Sequence, residues 1–383
     1  MSLPTNFFIA RGGAGASTPY PFSYTANATI GNTYDYFINN NVGNVGSWSG
    51  YQYTNLTPTI TGDASSLVGY SGTTQRSDMY HGKMQLSAAQ CTTLGTQTME
   101  FRGTRGGNVN AQYVNNSPNL VQGGRGSRLT VEVNFAGLHT NYANGGILYV
   151  YFLLGCGGTD FAQTGAGSAF PGASGGGATA MAVVNGSTWT PVVVAGGGGG
   201  GFHTDSQSPH QRPGLNAFCP SLANISTYQS FNHYGNTTGF ASSSARPWIN
   251  DCSSTGATSG ASWDYNAISY GNANSYGAAV PSLKDHFKQF QTSQNTRIWN
   301  IDNPTNSDAH SNSTVYSTFG GGGAGAYGAG GGAGYYGGFS GTYTGGGTLG
   351  RAQGGQSYYN PTYCSFVSHG SSTNRLGKIT ISA

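Results

Sequence analysis

The sequence predicts a mainly β protein, a sandwich or jelly roll of short strands with a bundle of glycine-rich extended helices inserted between them and very little α-helix. Three observations lead there. Glycine occupies every third position, Gly322, Gly325, Gly328, Gly331, Gly334 and Gly337, within the run GGGGAGAYGAGGGAGYYGG that follows Phe319. Short β-branched and aromatic runs recur along the chain, and most begin or end in glycine. Two of those runs flank an Asn185-Gly186 pair, a strong hairpin signal.

A period of three fits neither an α-helix nor a strand. It fits an extended left-handed helix of polyproline II shape, whose bare glycine face lets another backbone approach to bonding distance. Such a helix has no internal hydrogen bonds, so a buried one must bond to its neighbours side by side. Glycine richness, 65 of 383 residues, ordinarily signals a linker or disorder. Aromatics at 13% and several apolar runs argue instead for a buried core.

Taken in order, residues 1–80 are rich in Asn, Tyr and Thr, with β-like pieces at Asn6–Ala10, Tyr34–Ile38 and Tyr51–Thr61. They form a candidate docking or oligomerisation region, and residues 81–383 form the second unit. Thr96–Arg102 alternates polar and apolar residues. Ser127–Phe135 does the same, with Leu129, Val131, Val133 and Phe135 on one face. Ile147–Leu154 is a continuous apolar run, expected to be a strand buried on both sides. Ala178–Val184 and Thr190–Ala195 form the hairpin about Asn185-Gly186, and Gly377–Ser382 closes the chain as a strand. Glycine pieces lie between these strands at 103–107, 123–126, 155–158, 165–177, 196–201 and 320–355, and they are expected to gather at one end of the sandwich. Residues 202–318 read as an insertion holding one credible helix, Ser282–Gln294. Ser282 is its cap and Leu283, Phe287 and Phe290 its apolar stripe.

Four stretches together resemble a known family: MEFRGTRGG (99–107), the strand pair of 123–158, SGGGATAMAVVNGSTWTPVVVAGGGGGG (174–201), and the glycine block running to GKITIS (319–382). Their order is similar to the extracellular glycine-rich region of the anaplastic lymphoma kinase and leukocyte tyrosine kinase receptors, and to glycine-rich domains of viral and bacterial surface proteins. The resemblance covers roughly residues 96–201 and 319–383. It implies a tumour-necrosis-factor-like jelly roll with packed polyglycine type II helices between its strands. The receptors' transmembrane helix and kinase have no counterpart here, and none of their cytokine-contacting residues carries over.

Charge is sparse, at 7% of residues with a net +3, and there is no basic patch interleaved with aromatics, so nucleic acid is not an expected partner. No apolar stretch reaches membrane-spanning length. The start, MSLPTNFFIARGG, lacks the pattern of a cleavable secretory signal. The five cysteines, Cys91, Cys156, Cys219, Cys252 and Cys364, are odd in number and show no metal-ligand spacing. Sequons at Asn27, Asn55, Asn115, Asn185, Asn224, Asn236 and Asn312 are candidate N-glycosylation sites, although chance supplies most of them in a chain of this composition.

The sequence predicts no catalytic, cofactor or metal site. There is no G-x-x-x-x-G-K-[ST] loop, and no G-x-S-x-G elbow sits on a strand-to-helix turn. Cys364 and His369 are near in sequence, yet a single Cys is more often a small buried hydrophobe. His203, Asp205 and His210 read as solvated loop residues before metal ligands. Glu100 and Glu132 are expected to face solvent or a salt bridge. Arg102, Arg105, Arg125 and Arg128 are expected to donate to exposed carbonyls beside the glycine turns or to meet a carboxylate. Tyr327, Tyr335, Tyr336, Tyr343, Tyr358 and Tyr359 punctuate the last glycine block. They are either rim packing or a contact surface, since tyrosine offers amphipathic area at low entropy cost.

The expectation is therefore a non-enzymatic structural protein of an assembled particle, a virion surface component such as a minor capsid, spike or fibre protein. Its partners are copies of itself or other coat or filament proteins. The alternative is an extracellular filament subunit or adhesin that binds glycans or cell-surface receptors. Either reading places the chain on a virion or extracellular assembly surface.

Overall fold

Alternation of apolar and polar side chains sets the register of the strands, and the register sets everything else. The computed structural model describes residues 22–25, 81–112, 118–158, 161–164, 172–203, 211–217, 219, 259–264, 282–291, 320–323, 328–341, 351–375 and 377–382. The described part is mostly β-sheet, built around two five-stranded antiparallel sheets. Strands are β1 (Phe22–Thr25), β2 (His81–Ser87), β3 (Thr96–Arg102), β4 (Val109–Gln112), β5 (Pro118–Val121), β6 (Gly126–Asn134), β7 (Ile147–Leu153), β8 (Phe161–Thr164), β9 (Thr179–Asn185), β10 (Thr188–Ala195), β11 (Phe202–His203), β12 (Gln211–Arg212), β13 (Tyr358–Tyr359), β14 (Cys364–Ser372) and β15 (Lys378–Ser382). The first sheet runs β1-β15-β3-β6-β14, and the second runs β13-β10-β9-β7-β2. A small sheet β5-β4-β8, with β4 and β8 parallel, and the pair β11-β12 stand beside them.

The inner face of the first sheet carries Met99, Phe101, Leu129, Val131, Val133 and Ile379, all fully buried. Their cross-strand pairs, Met99 with Val131 and Phe101 with both Leu129 and Ile379, stack on one face. They meet the second sheet through β9 and β10. The other face is polar: Glu100 there holds both Arg102 and Arg128 at 2.6 Å.

The second sheet is apolar on both sides, as expected for Ile147–Leu154. Leu148, Val150 and Phe152 are buried on one side, and Tyr151 packs edge-on against Trp189 at 4.8 Å on the other. Trp189 in turn stacks on Phe287 at 5.6 Å. Phe287 belongs to the helix foreseen near Ser282, which runs Leu283–Gln291, with the Ser282 hydroxyl accepting from the Asp285 N–H at 3.1 Å. Leu283 and Phe287 are both fully buried; the side chain of Phe290 lies outside the described residues.

Two further helices correct the expectation of a single one: α1 (Ala88–Leu94) and α2 (Phe135–Tyr142), so that Leu283–Gln291 is α3. Ser87 and Gln90 form a capping box for α1, a signature legible in the sequence as S-x-x-Q. Phe135, expected at the end of a strand, opens α2 instead, capped by Asn134, yet its ring stays buried with Leu129, Val131 and Val133. The hairpin between β9 and β10 has Gly186 and Ser187 as its loop, with Asn185 paired to Thr188. Gly186 sits at φ +60°, where a side chain is strained.

The registers place the described glycine segments that flank these strands at one end of the sandwich. β3 ends opposite the starts of β6 and β15, and β10 ends opposite the starts of β9 and β13. The helices α1 and α2 and the 186–187 turn close the opposite end. β1 pairs with β15 and ties this piece of the N-terminal region to the first sheet; the β-like pieces at 6–10, 34–38 and 51–61 lie outside the described residues.

Candidate functional site

Where the strands empty into glycine, the backbone takes over from the side chains. The run 196–201 lies amid six segments, 103–107, 122–127, 172–178, 213–217, 328–334 and 351–357, and bonds to each of them. Gly197 and Gly200 donate to Ala333 and Gly330, Gly198 and Gly201 donate to Thr104 and Gly107, and Gly199 donates to Leu215. Its carbonyls accept from Ser127 and Gly124 at Gly196 and Gly199, from Gly176 and Ala173 at Gly198 and Gly201, and from Gly355 at Gly197. All of these bonds span 2.7–3.0 Å. Where a neighbour is met twice, it is met again after three residues.

The surrounding segments follow the same rule. Thr104 and Gly107 donate to Gly177 and Ser174, and Gly330 and Ala333 donate to Ala173 and Gly176. Buried backbone groups far from any strand ladder thereby find partners.

The close approach dictates the residue type. A Cβ built on any of Gly196 to Gly201 would fall inside 3.0 Å of another segment's backbone, which no rotamer change relieves. Of the predicted row, Gly331, Gly334 and Gly337 are confined in the same way by the carbonyls of Gly338, Gln356 and Gly260. Gly322 and Gly328 are buried, and Gly325 lies outside the described residues. Glycines off that row are just as confined: Gly330, Gly332 and Gly338 face the carbonyls of Gly323, Gly197 and Gln353. The central element is therefore 196–201, one of the glycine pieces expected to gather here, rather than the periodic row at 322–337. Its signal was present in VVVAGGGGGG: six consecutive glycines are bare on every face, whereas a row flanked by Ala and Tyr is bare on one.

Polar side chains finish the bundle where backbone partners run out. Gly196 donates to the Ser357 hydroxyl at 3.0 Å and Gly337 to that of Ser262 at 3.0 Å. Gly123 donates to Asn108 Oδ1 at 3.0 Å and Arg125 N to Asn216 Oδ1 at 2.8 Å. The Thr104 hydroxyl lies 2.8 Å from the Cys156 carbonyl oxygen and 3.0 Å from that of Gly177. Described pieces of the 202–318 insertion take part: 213–217 and 259–263 bond into the bundle, and α3 covers the second sheet.

The remaining predicted residues fall as follows. Arg102 and Arg128 meet the Glu100 carboxylate, while Arg105 reaches Asn108 and Arg125 reaches Ser371. Burial raises the Glu100 carboxyl, but the hydrogen bonds and charges of the two arginines outweigh it and hold it below the usual range. Cys364 and His369 share β14 without forming a pair. Burial pushes the Cys364 thiol up to about 12, and His369 Nε2 instead lies 3.0 Å from the Ser127 hydroxyl. A thiol so placed is a core residue rather than a nucleophile. His203 is in β11, while Asp205 and His210 lie outside the described residues. Asn185 is exposed at its hairpin; Asn27, Asn55, Asn115, Asn224, Asn236 and Asn312 lie outside the described residues.

Tyr335 and Tyr336 are half-buried beside the bundle, and Tyr327 lies outside the described residues. Tyr335 stacks on Tyr358 at 4.1 Å and 13°, and Tyr336 meets Tyr335 edge-on at 5.0 Å. Tyr142 and Tyr363 form a second edge-on pair at 5.4 Å. Burial, then the neighbouring Tyr336 and Asp264, push the Tyr335 hydroxyl up to about 12. Burial and the adjacent tyrosines raise Tyr358 further. These hydroxyls are thus neutral and able both to donate and to accept. No protein-family model matches the sequence, and no curated protein is significantly similar to it. No described helix is long and apolar enough to cross a membrane.

Proposed function

We propose that this chain is a non-enzymatic structural protein of an assembled particle, displayed on a virion surface as a minor capsid, spike or fibre component. In this reading the sandwich is a tumour-necrosis-factor-like jelly roll. The glycine segments at its end are polyglycine type II helices, like those of the glycine-rich receptor region that the sequence resembles. The observation that carries the reading is the 196–201 run, bonded on all sides by other backbones with no room for a single added methyl group. A chain that builds an element from backbone alone gains rigidity and gives up side-chain chemistry there, which suits a scaffold. The sparse charge and abundant Tyr, Asn, Ser and Thr suit neutral surface-to-surface contacts with copies of the chain or with other coat proteins.

Electron microscopy and sedimentation of the purified chain test this. The expected result is ordered particles or filaments, or incorporation into purified virions detected by mass spectrometry. A chain that stays monomeric at high concentration and is absent from purified particles contradicts it.

A further inference from the structure

A strand at the edge of a sheet carries unpaired backbone groups, and three of the four edges of the two main sheets are blunted against a further strand. β1 has only four residues and β13 only two, while β2 carries Lys83. β14 is different. It closes the first sheet beyond β6, runs for nine residues, and contains no Asp, Glu, Lys, Arg or Pro. No described strand pairs with its outer side. Alternate residues therefore turn their N–H and C=O groups away from β6, along an edge of roughly 30 Å. Phe366 is 40% exposed and Val367 47%, two of the three large hydrophobic residues left open among the described ones. The pairing with β6 shifts between Phe366 and Ser368, so Val367 is the extra residue of a bulge, a device that re-aims a side chain. The Phe366 ring leans on Tyr359 of β13 at 6.1 Å, which anchors it at the open side of the sandwich.

We propose that β14 is the contact between two copies of this chain, paired antiparallel across a two-fold axis so that the first sheet of one copy continues into that of the other. The inference rests on the assembly reading and names its partner. An unpaired strand edge is recognised by another extended backbone, through ladder hydrogen bonds. An antiparallel ladder has two-fold symmetry of its own, so one strand supplies both sides of the contact. Charge selects the occupant. A strand bearing Lys, Arg, Asp or Glu loses solvation against Phe366 and Val367, whereas a second β14 brings no such group and sets no like charges face to face. The pairing also covers the exposed Phe366 and Val367 of both copies, which is the apolar gain that offsets the cost of association.

The test is sedimentation of the full chain over a range of concentrations, with amide hydrogen exchange of β14 on the same samples. The expected result is self-association that Val367→Lys and Ser368→Lys each weaken by roughly tenfold or more. Both positions are exposed, so circular dichroism and the unfolding midpoint stay as in the parent chain. Ser187→Lys, exposed at the turn between β9 and β10, leaves association unchanged. The β14 amides exchange slowly where the copies are paired and faster on dilution or in Val367→Lys, a response that a contact made through side chains alone does not give. A chain that stays monomeric, association undiminished by both β14 lysines, or β14 exchange indifferent to dilution overturns the proposal. Association that ignores the lysines in a chain still found in purified virions overturns this inference alone. A β14-dependent pair absent from purified particles supports it and contradicts the virion reading.

Discussion

The sandwich and the glycine bundle join at Arg102-Gly103 and Ala195-Gly196, yet they are held together by opposite means. In the sandwich the side chains do the work: Phe101, Leu129, Val131, Phe152 and Val183 are fully buried, each contributing roughly 1.5–3 kcal/mol through removal from water. In the bundle there is almost no side chain to bury, and the stabilisation comes from backbone hydrogen bonds, each worth a net of about 0.5–1.5 kcal/mol. Glycine also gives up the most conformational freedom on folding. The bundle therefore depends on completeness: every N–H and C=O must find its neighbour, and no neighbour can be displaced. The sandwich tolerates a lost methyl group as a cavity, whereas the bundle has no means of accommodating a gained one.

The largest expected effect follows from that contrast. Gly198→Ala drives a Cβ into the Gly124 carbonyl at the middle of the bundle and is expected to cost at least about 4 kcal/mol, read as loss of soluble folded protein or a collapsed unfolding midpoint. Phe101→Ala opens a cavity in the sandwich and costs about 3–4 kcal/mol, with the fold retained. If the two substitutions cost the same and leave the same residual structure, the distinction between the regions is lost.

Acid sharpens the comparison from a third place, the α3 cover of the second sheet. Burial pushes His286 down from 6.5 to about 4, against the opposing pull of its hydrogen bond to the Ser282 carbonyl and of Asp285. The folded state therefore binds fewer protons than the unfolded state between those values. The resulting stabilisation is complete above pH 6.5 and is lost as pH falls toward 4, by on the order of 2–3 kcal/mol. Denaturant titrations across that window, read by the fluorescence of Trp189 beside Phe287, check the sign. The smallest effect belongs to a glycine of the other kind. Gly186 has nothing near its missing Cβ but sits at φ +60°, so Gly186→Ala costs only about 1 kcal/mol in urea titration.

Much of this was legible in the sequence. Alternation alone located β3 residue for residue and β6 to within one residue at each end, and the apolar run of β7 announced burial on both faces. A three-residue glycine period announced lateral bonding between backbones. What the sequence hid was identity of neighbours. The bonds of Gly199 run to Leu215 and Gly124, and spacing along the chain carries no record of such partners. The α1 capping box was readable but overlooked, because AAQCTTL lacks a strong helical stripe. The tyrosine contacts were half visible: Tyr335, Tyr336 and Tyr358 stood out by their setting, while the stack of Tyr335 on Tyr358 and the pairing of Tyr142 with Tyr363 arise only through the fold.

Amide hydrogen exchange of Gly197 to Gly201 tests the central claim most directly, that glycine here builds a rigid element. The account predicts that these amides exchange as slowly as those of β9 and β10, opening only with global unfolding. Exchange at the rate of an unstructured peptide, while β9 and β10 stay protected, would contradict it.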